Sequence, residues 1–213
     1  MHRYFVLGVL VVAALPYHSS VKRVPAPMRT AIVQHGFWHK GCPVGFAQLR
    51  LLTVTYHGFD HTDHTGQLIV NRSFARPLAK VFGRLYALHL PIHHMQFTDV
   101  YGTKKQQPRD NDASGSFECR EAVPSPCSGG SGTGSWSEHA FGRAVDINPV
   151  ENPYVGCGMS RDPKSKPYFN RAIHRRGMVT RKVRGAFASI GWGWGGSWVG
   201  NTKDYMHFSA SGH

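Results

Sequence analysis

Residues 137–148 read SEHAFGRAVDIN, and this stretch says more than any other about the fold and chemistry of the chain. If residues 144–148 form a strand, side chains alternate between its two faces, and Asp146 faces away from the core. Gly142 permits a turn that can bring His139 back beside Asp146. Imidazole nitrogens and carboxylate oxygens are good zinc ligands. The stretch therefore predicts two ligands of a metal centre.

The C-terminal stretch DYMHF at residues 204–208 supplies a third candidate ligand. On a strand, His207 faces opposite to its two apolar neighbours, which can enter the core. Three protein ligands leave the fourth tetrahedral position of a zinc ion to water, as hydrolytic zinc sites require. Asp204 lies three residues before His207 and is a candidate general base.

The combined pattern, S-x-H-x-x-G-x-A-x-D followed by D-x-x-H, resembles the M15 peptidases. This family comprises zinc D-Ala-D-Ala carboxypeptidases and includes L-alanyl-D-glutamate endopeptidases of phages and bacteria. Three further stretches support the resemblance: WSEHAFGRAVDINPVENPY at residues 136–154, GWGWGG at 191–196, and S-x-x-F-x-C-R at 114–120. The resemblance is firm from about residue 114 to residue 208 and weaker before residue 66.

The resemblance implies an α+β fold, with a small antiparallel sheet, flanking helices and a zinc cleft on the sheet, as in hedgehog-like domains and D-Ala-D-Ala peptidases. It also implies one Zn²⁺ per chain, with His139, Asp146 and His207 as ligands and Asp204 as general base. Many relatives carry Glu at the position of Asp204, and the shorter side chain must then sit closer to the reacting water. Relatives often carry an acid at the position of Ser197 as well.

Three further residues are predicted near the substrate. Arg120 matches a family arginine that neutralises the developing oxyanion or holds a substrate carboxylate, a role that suits a permanently charged guanidinium. A structural salt bridge is the alternative for Arg120. Ser137 matches a motif serine near the substrate, and its alternative is a hydrogen bond to nearby backbone. Trp194 belongs to an aromatic segment that can line the substrate cleft.

The resemblance leaves the reaction open between two peptidoglycan cleavages. We expect a D-alanyl-D-alanine carboxypeptidase acting on stem peptides, and an L-alanyl-D-glutamate endopeptidase with the same site is the alternative. A non-catalytic module that binds the cell wall is a third reading, and the intact Asp204 argues against it.

The N-terminus predicts export. A cationic start precedes an apolar run over residues 4–16, which is typical of a signal peptide. We assign residues 1–20 to a signal peptide or, because a clean A-x-A site is missing, to an uncleaved anchor. Residues 21–65 are then a basic, proline-containing lead-in with the first strand, and 21–45 are expected to have little regular structure. Residues 66–213 form the peptidase domain, and we expect a secreted or extracytoplasmic protein.

Hydrophobic periodicity predicts the remaining elements. Two strands at 51–56 and 67–71 flank a polar loop, and Ser73 is the expected cap of a helix over 75–88. The other predictions are a strand at 95–100, a long polar loop at 102–136, a strand at 143–148, a helix at 179–190 and a strand at 205–209.

Four cysteines follow the apolar run, at positions 42, 119, 127 and 157. In an exported chain an even number of cysteines is compatible with two disulfides, for which three pairings exist. The short spacing favours a bridge between Cys119 and Cys127. None of the cysteines has the C-x-x-C spacing of a thiolate zinc site.

The formal net charge of +13 points to polyanionic partners. For an exported protein these are anionic cell-wall polymers, beside the peptidoglycan peptide substrate, and we expect a monomer. Nucleic acid is not expected, because no recognition-helix or RNP-like pattern is present. GWGWGG fits G-x-G-x-x-G but follows a predicted helix instead of a strand, which disfavours a dinucleotide site. The histidines of residues 57–64 are interpreted as hydrogen-bonded or solvated.

Overall fold

The computed structural model describes residues 16–128, 130 and 132–213, and these residues form an α+β fold. The α+β class is confirmed. Residues 1–15, which contain most of the predicted leader, lie outside the described residues, and the first strand begins at Ser19. None of the helices described is long and apolar enough to cross a membrane.

The elements are numbered in chain order. The strands are β1 Ser19–Arg23, β2 Leu49–Gly58, β3 Asp63–Asn71, β4 Pro91–Ile92, β5 Ala144–Asp146, β6 Tyr154–Gly156, β7 Met159–Ser160, β8 Gly193–Trp194, β9 Thr202–Asp204 and β10 His207–Ser209. The α-helices are α1 Ala26–Gln34, α2 Ala75–Ala87, α3 Phe97–Tyr101 and α4 Arg181–Ala188. A 3-10 turn at Glu138–Phe141 precedes β5.

The largest sheet has the order β1-β2-β3, and β4 joins it by pairing in parallel with the end of β2. β2 and β3 form a long antiparallel hairpin, in register from Leu49 opposite Asn71 to His57 opposite Asp63. The two strands predicted at 51–56 and 67–71 are confirmed; β2 extends further at both of its ends, and β3 extends further at its start. Their polar loop contracts to residues 59–62.

Helix α2 covers this sheet. Leu78, Val81, Phe82 and Leu85 are buried on one face of the helix, as their helical spacing predicts. The helix begins after Phe74 without a side-chain cap, so the prediction that Ser73 caps it is wrong. Helix α4 packs on α2 and confirms the helix predicted within 179–190.

Two small antiparallel sheets carry the predicted site residues. One has the order β5-β10-β8, with His207 directly opposite Asp146. The other has the order β7-β6-β9, with Asp204 opposite Tyr154. The single strand predicted at 205–209 is therefore only its second half, because the chain leaves one sheet at Asp204 and enters the other at His207.

Two predictions of local structure are wrong. Residues 97–101 form helix α3 instead of a strand, because the side chains of Gln96 and Asp99 make a reciprocal capping box at its start. Residues 21–45, expected to lack regular structure, contain most of β1 and all of α1. Strand β1 pairs with β2 along its whole length, a contact that a local pattern cannot show.

The two disulfides join Cys42 to Cys119 and Cys127 to Cys157. Disulfides were expected, but the favoured bridge between Cys119 and Cys127 is wrong. Cys119 lies in a second hydrophobic cluster beneath the main sheet, against which Cys42 packs. Cys127 instead lies against the backbone of Gly156, next to Cys157. Cys119 and Cys127 thus lie in different parts of the fold, and each pairs with a cysteine that is distant in sequence.

Candidate metal centre

His139, Asp146 and His207 meet at one point. His139 Nε2 lies 3.2 Å from His207 Nδ1 and 3.2 Å from Asp146 Oδ2, and His207 Nδ1 lies 3.1 Å from Asp146 Oδ1. Both histidines are buried, and Asp146 is half-buried. The structure therefore brings together the three residues predicted as metal ligands.

Local structure explains why these three side chains converge. The Ser137 hydroxyl accepts a hydrogen bond from the His139 backbone N–H at 3.2 Å and caps the 3-10 turn that carries His139. Gly142 ends the turn in the left-handed conformation, with φ of 64°, and reverses the chain into β5. The register of β5 with β10 then sets Asp146 opposite His207.

Outer contacts orient both imidazole rings. His139 Nδ1 hydrogen-bonds to the Ser116 carbonyl oxygen at 2.5 Å, which leaves Nε2 facing the cluster. His207 Nε2 lies 3.4 Å from the His213 carbonyl oxygen, which leaves Nδ1 facing the cluster. Metal-binding histidines commonly hold a carbonyl or carboxylate on the ring nitrogen that is not coordinated. Both rings have this arrangement.

The donor set fits a zinc ion. Zinc bonds to nitrogen and oxygen of about 2.0–2.1 Å in a tetrahedron separate the donors by roughly 3.4 Å. The separations of 3.1–3.2 Å among His139, Asp146 and His207 are close to this value. Two neutral imidazoles and one carboxylate are also the ligand types of many catalytic zinc sites.

Asp204 lies beside the cluster at the end of β9. Its Oδ1 atom is buried and has no hydrogen-bond partner within the described part of the chain. Burial, followed by the negative charge of Asp146, raises the pKa of Asp204 to about 7. Gly195 allows this approach, because a Cβ atom there would lie 2.5 Å from the Asp204 carbonyl oxygen.

Asp146 is ionised under ordinary conditions. Burial alone would raise its pKa, but the charge of His139 and the hydrogen bonds from His139 and His207 outweigh burial and hold the pKa well below the usual range. The same pairing raises the pKa of His139 although burial opposes it. Each partner thus favours the charged form of the other.

A cleft of about 530 Å³ opens above the cluster. Arg120 lines it, and its Nε donates to Glu118 Oε2 at 2.7 Å. Both interpretations of Arg120 have support, because the residue makes a salt bridge and its charge also reaches Asp204 and His139. The hydroxyl of Ser137, which also lines the cleft, is hydrogen-bonded to backbone, as its alternative interpretation predicted.

The structure places Trp194 away from the cleft lining. Its ring packs against the main core, its Nε1 donates to the Tyr205 carbonyl at 2.8 Å, and Arg184 covers its face. Trp194 is therefore not among the residues that line this cleft, and its predicted contact with substrate stays a prediction. Trp136 and Trp198 line the cleft instead.

Sequence reasoning missed three contributors to this site. Trp136 begins the stretch at residues 136–154 and Trp198 follows the GWGWGG stretch, but their spacing does not distinguish them from the other tryptophans. Ser116 contributes through its backbone carbonyl, so its side-chain type carries no signal. Its position within the 114–120 stretch was the only indication.

Comparison with known proteins finds a match over the segment that carries the candidate metal ligands. A family model described as D-alanyl-D-alanine carboxypeptidase matches residues 131–210. No curated protein and no solved structure matches the chain. The matched segment contains the three clustered donors and Asp204, whereas Arg120 lies before it. Over residues 131–210, which make up 80 of the 213 residues, the chain is therefore similar to the M15 peptidases.

Proposed function

We propose that this protein is a zinc-dependent peptidase that hydrolyses an amide bond in peptidoglycan stem peptides, and that it acts as a D-alanyl-D-alanine carboxypeptidase. The observation that carries the proposal is the convergence of His139, Asp146 and His207 at the floor of a cleft, with the buried carboxylate of Asp204 beside them. M15 peptidases are generally zinc-dependent, and the donor set suits that ion.

Each residue has a chemical task in this proposal. His139, Asp146 and His207 hold the ion, which supplies Lewis acidity to water and to the scissile carbonyl when it is bound. Asp204 accepts the proton of the attacking water and passes it to the leaving amine. Arg120 stabilises the negative charge that develops on the carbonyl oxygen. Glu118 holds the Arg120 guanidinium through Nε, and Nη1 of Arg120 donates to the Glu121 carbonyl oxygen at 3.2 Å, so the side chain is fixed at the edge of the cleft.

Two arginines of the cleft favour a substrate with a free carboxylate. Arg120 and Arg161 both line the cleft. A guanidinium pairs with a carboxylate through two parallel hydrogen bonds, which suits a terminal D-Ala. The endopeptidase alternative uses the same site with the peptide shifted, so that the bond between L-Ala and D-Glu lies over the cluster.

The first experiment measures product formation from stem pentapeptides. Zinc-loaded protein is expected to release terminal D-Ala, and a chelator is expected to abolish the release. Asp204→Asn should lower kcat by about 10²–10⁴-fold while zinc content, measured by elemental mass spectrometry, is unchanged. Asp60→Asn, at an exposed residue of the β2-β3 loop, is the matched control and should keep full activity.

The remaining outcomes separate the alternatives. Cleavage between L-Ala and D-Glu with no release of D-Ala would replace the carboxypeptidase by the endopeptidase. If protein with zinc bound at His139, Asp146 and His207 cleaves neither bond, and Asp204→Asn leaves binding to cell walls unchanged, the site belongs to a non-catalytic wall-binding module and the proposed activity is wrong.

We also propose that anionic cell-wall polymers hold the protein near its substrate. The net charge is +13, and Arg181 and Lys182 at the start of α4 are exposed. Two disulfides agree with the oxidising compartment that export requires. Binding to insoluble walls should weaken as NaCl rises from 50 to 500 mM, and it should weaken further when the anionic polymers are removed from the walls.

A further inference from the structure

A second cluster of potential ligands lies outside the cleft. His93 follows β4, Asp112 lies in the long loop before the site, and Glu151 follows the β5 strand segment. One donor atom from each of the three lies within 4.8 Å of the other two. Asp112 and Glu151 are 3% and 4% exposed, and His93 is 30% exposed. None of the three lines the cleft above His139.

The distances in this cluster suit three ligands of one ion. His93 Nε2 lies 3.4 Å from Asp112 Oδ2 and 3.4 Å from Glu151 Oε1. These separations exceed the usual 2.7–3.2 Å of an N–H···O hydrogen bond. They match the roughly 3.4 Å between donors on a tetrahedral zinc ion. The neighbouring His94 makes a shorter contact of 2.9 Å with Asp110.

A buried carboxylate oxygen without a hydrogen-bond partner is a second, independent indication of a ligand at this cluster. Glu151 Oε2 is buried and has no hydrogen-bond partner among the described residues, while Oε1 accepts from Tyr168 Oη at 3.2 Å. Leaving a buried carboxylate oxygen without a partner costs free energy, and buried acids in proteins are normally paired or bound to metal. A bound cation would also offset the negative charge of the two carboxylates.

We propose that His93, Asp112 and Glu151 form a second site for a divalent transition-metal cation, with Zn²⁺ as the best-fitting ion. The imidazole donor disfavours Ca²⁺ and Mg²⁺, which take oxygen ligands almost exclusively. The separation of this site from the cleft makes its role structural. The proposal does not depend on the peptidase activity.

The position of the second site suggests what it stabilises. Asp112 Oδ1 accepts a hydrogen bond from the Val150 N–H at 3.0 Å, so the cluster joins the loop before the site to the chain after β5. Between these points, Gly115 and Asp146 form a bridge in which each backbone N–H bonds the other carbonyl. A bound cation would therefore clamp both chain segments that hold Asp146 and the Ser116 carbonyl.

The test is a count of bound zinc in the full chain. Protein stripped with chelator, reloaded with ZnCl₂ and desalted should hold about two zinc ions per chain by elemental mass spectrometry. Glu151→Gln and His93→Ala should each lower the count to about one, and His207→Ala should also leave about one. Combining Glu151→Gln with His207→Ala should remove both.

His94→Ala is the matched control, since His94 is adjacent in sequence and similarly exposed. It should leave the count unchanged. His93→Ala changes a side chain that is 30% exposed, so it keeps the test valid if Glu151→Gln fails to fold. Circular dichroism checks that both variants are folded. In the His207→Ala background, zinc should bind at least about tenfold more weakly once Glu151→Gln is added, by calorimetric titration.

Three results would overturn the proposal. A count of one in the wild type that Glu151→Gln leaves unchanged would make the cluster a pair of carboxylic acids sharing a proton. Loss of the second ion in His94→Ala but not in His93→Ala would show that His94, and not His93, is the ligand. Displacement of the second zinc by millimolar Ca²⁺ would show that the imidazole is not a ligand.

Discussion

Asn148 shows how one residue can support the segment that carries His93. It is fully buried in the left-handed conformation, with φ of 45°, which Asn adopts more readily than most residues. Its Nδ2 donates to the carbonyls of Pro91 and Gly177 at 2.8 and 3.0 Å, and its Oδ1 accepts from the His93 N–H at 3.3 Å. One amide thus fixes the start of the His93 segment.

Asn148→Ala should therefore lower the free energy of unfolding by about 2–4 kcal/mol, because buried backbone groups lose their partners and Ala is strained at this φ. Urea denaturation measures the change. Asn201→Ala, at an exposed residue, is the control and should stay within about 0.5 kcal/mol of the wild type. Equal effects of the two substitutions would show that the Asn148 network contributes nothing to stability.

The exposed pair of Asp60 and His64 gives a prediction about pH. Hydrogen bonds from His64, and then from the Thr62 backbone and hydroxyl, hold the pKa of Asp60 well below its ordinary value of 3.8. A lowered folded pKa means that the contact stabilises the loop above pH 3.8 and is lost as the pH falls through the folded pKa. This agrees with the interpretation of the loop histidines as hydrogen-bonded.

An NMR titration of the Asp60 carboxyl should give a midpoint below 3.8, and His64→Ala should move the midpoint upwards towards that value. Thr62→Val removes only the hydroxyl contact and should cause a smaller shift. A midpoint that His64→Ala does not move would exclude the imidazole as the main cause.

At the scale of elements, the sequence patterns predicted those helices and strands whose formation depends on the spacing of nearby side chains. Helix α2 was predictable because its apolar side chains recur on one face, and the β2-β3 hairpin because β-branched runs flank a polar loop. Helix α3 was missed, since its five residues depend on a capping box and not on periodicity. Strand β1 was missed because its partner β2 lies about 30 residues further along the chain.

The turn at Gly142 links the element carrying His139 to the one carrying Asp146, and only glycine fits there. Its φ is 64°, and an added Cβ would lie 2.8 Å from the Asn71 backbone nitrogen and 3.0 Å from Leu49 Cδ2. Gly142→Ala should cost about 3 kcal/mol or more, because strain of about 1–2 kcal/mol adds to a clash with backbone. It should also weaken zinc binding, because His139 and Asp146 move apart.

Gly36→Ala separates the two causes. Gly36 also has positive φ, at 80°, but nothing lies within 4 Å of its added Cβ. This variant should lose only about 1 kcal/mol and keep its affinity for zinc. Denaturation curves and zinc titration of both variants check the difference, and similar losses in the two would remove crowding against Asn71 as a cause.

At the scale of the whole molecule, the candidate site was more predictable than the connectivity around it. His139 and Asp146 occupy one short motif, and Asp204 and His207 occupy another, and the combined pattern predicted that all four lie at one site. The disulfides join residues that are 77 and 30 positions apart, and only the packing of the second hydrophobic cluster decides that Cys42 meets Cys119. For this reason the short spacing between Cys119 and Cys127 did not predict the pairing.

These two disulfides should differ in what they contribute to stability. In the chain-entropy model, closing loops of 77 and 30 residues stabilises the fold by about 4.5 and 3.6 kcal/mol. Replacing Cys42 and Cys119 by Ala also removes contacts of Cys119, which is 5% exposed, within the second hydrophobic cluster. The Cys42/Cys119 variant should therefore lose more stability in urea than the Cys127/Cys157 variant, with the four-fold Ala variant below both. The opposite order would mean that loop length does not determine how much each disulfide lowers the entropy of the unfolded chain. The disulfide between Cys127 and Cys157 would then contribute more to the stability of the fold.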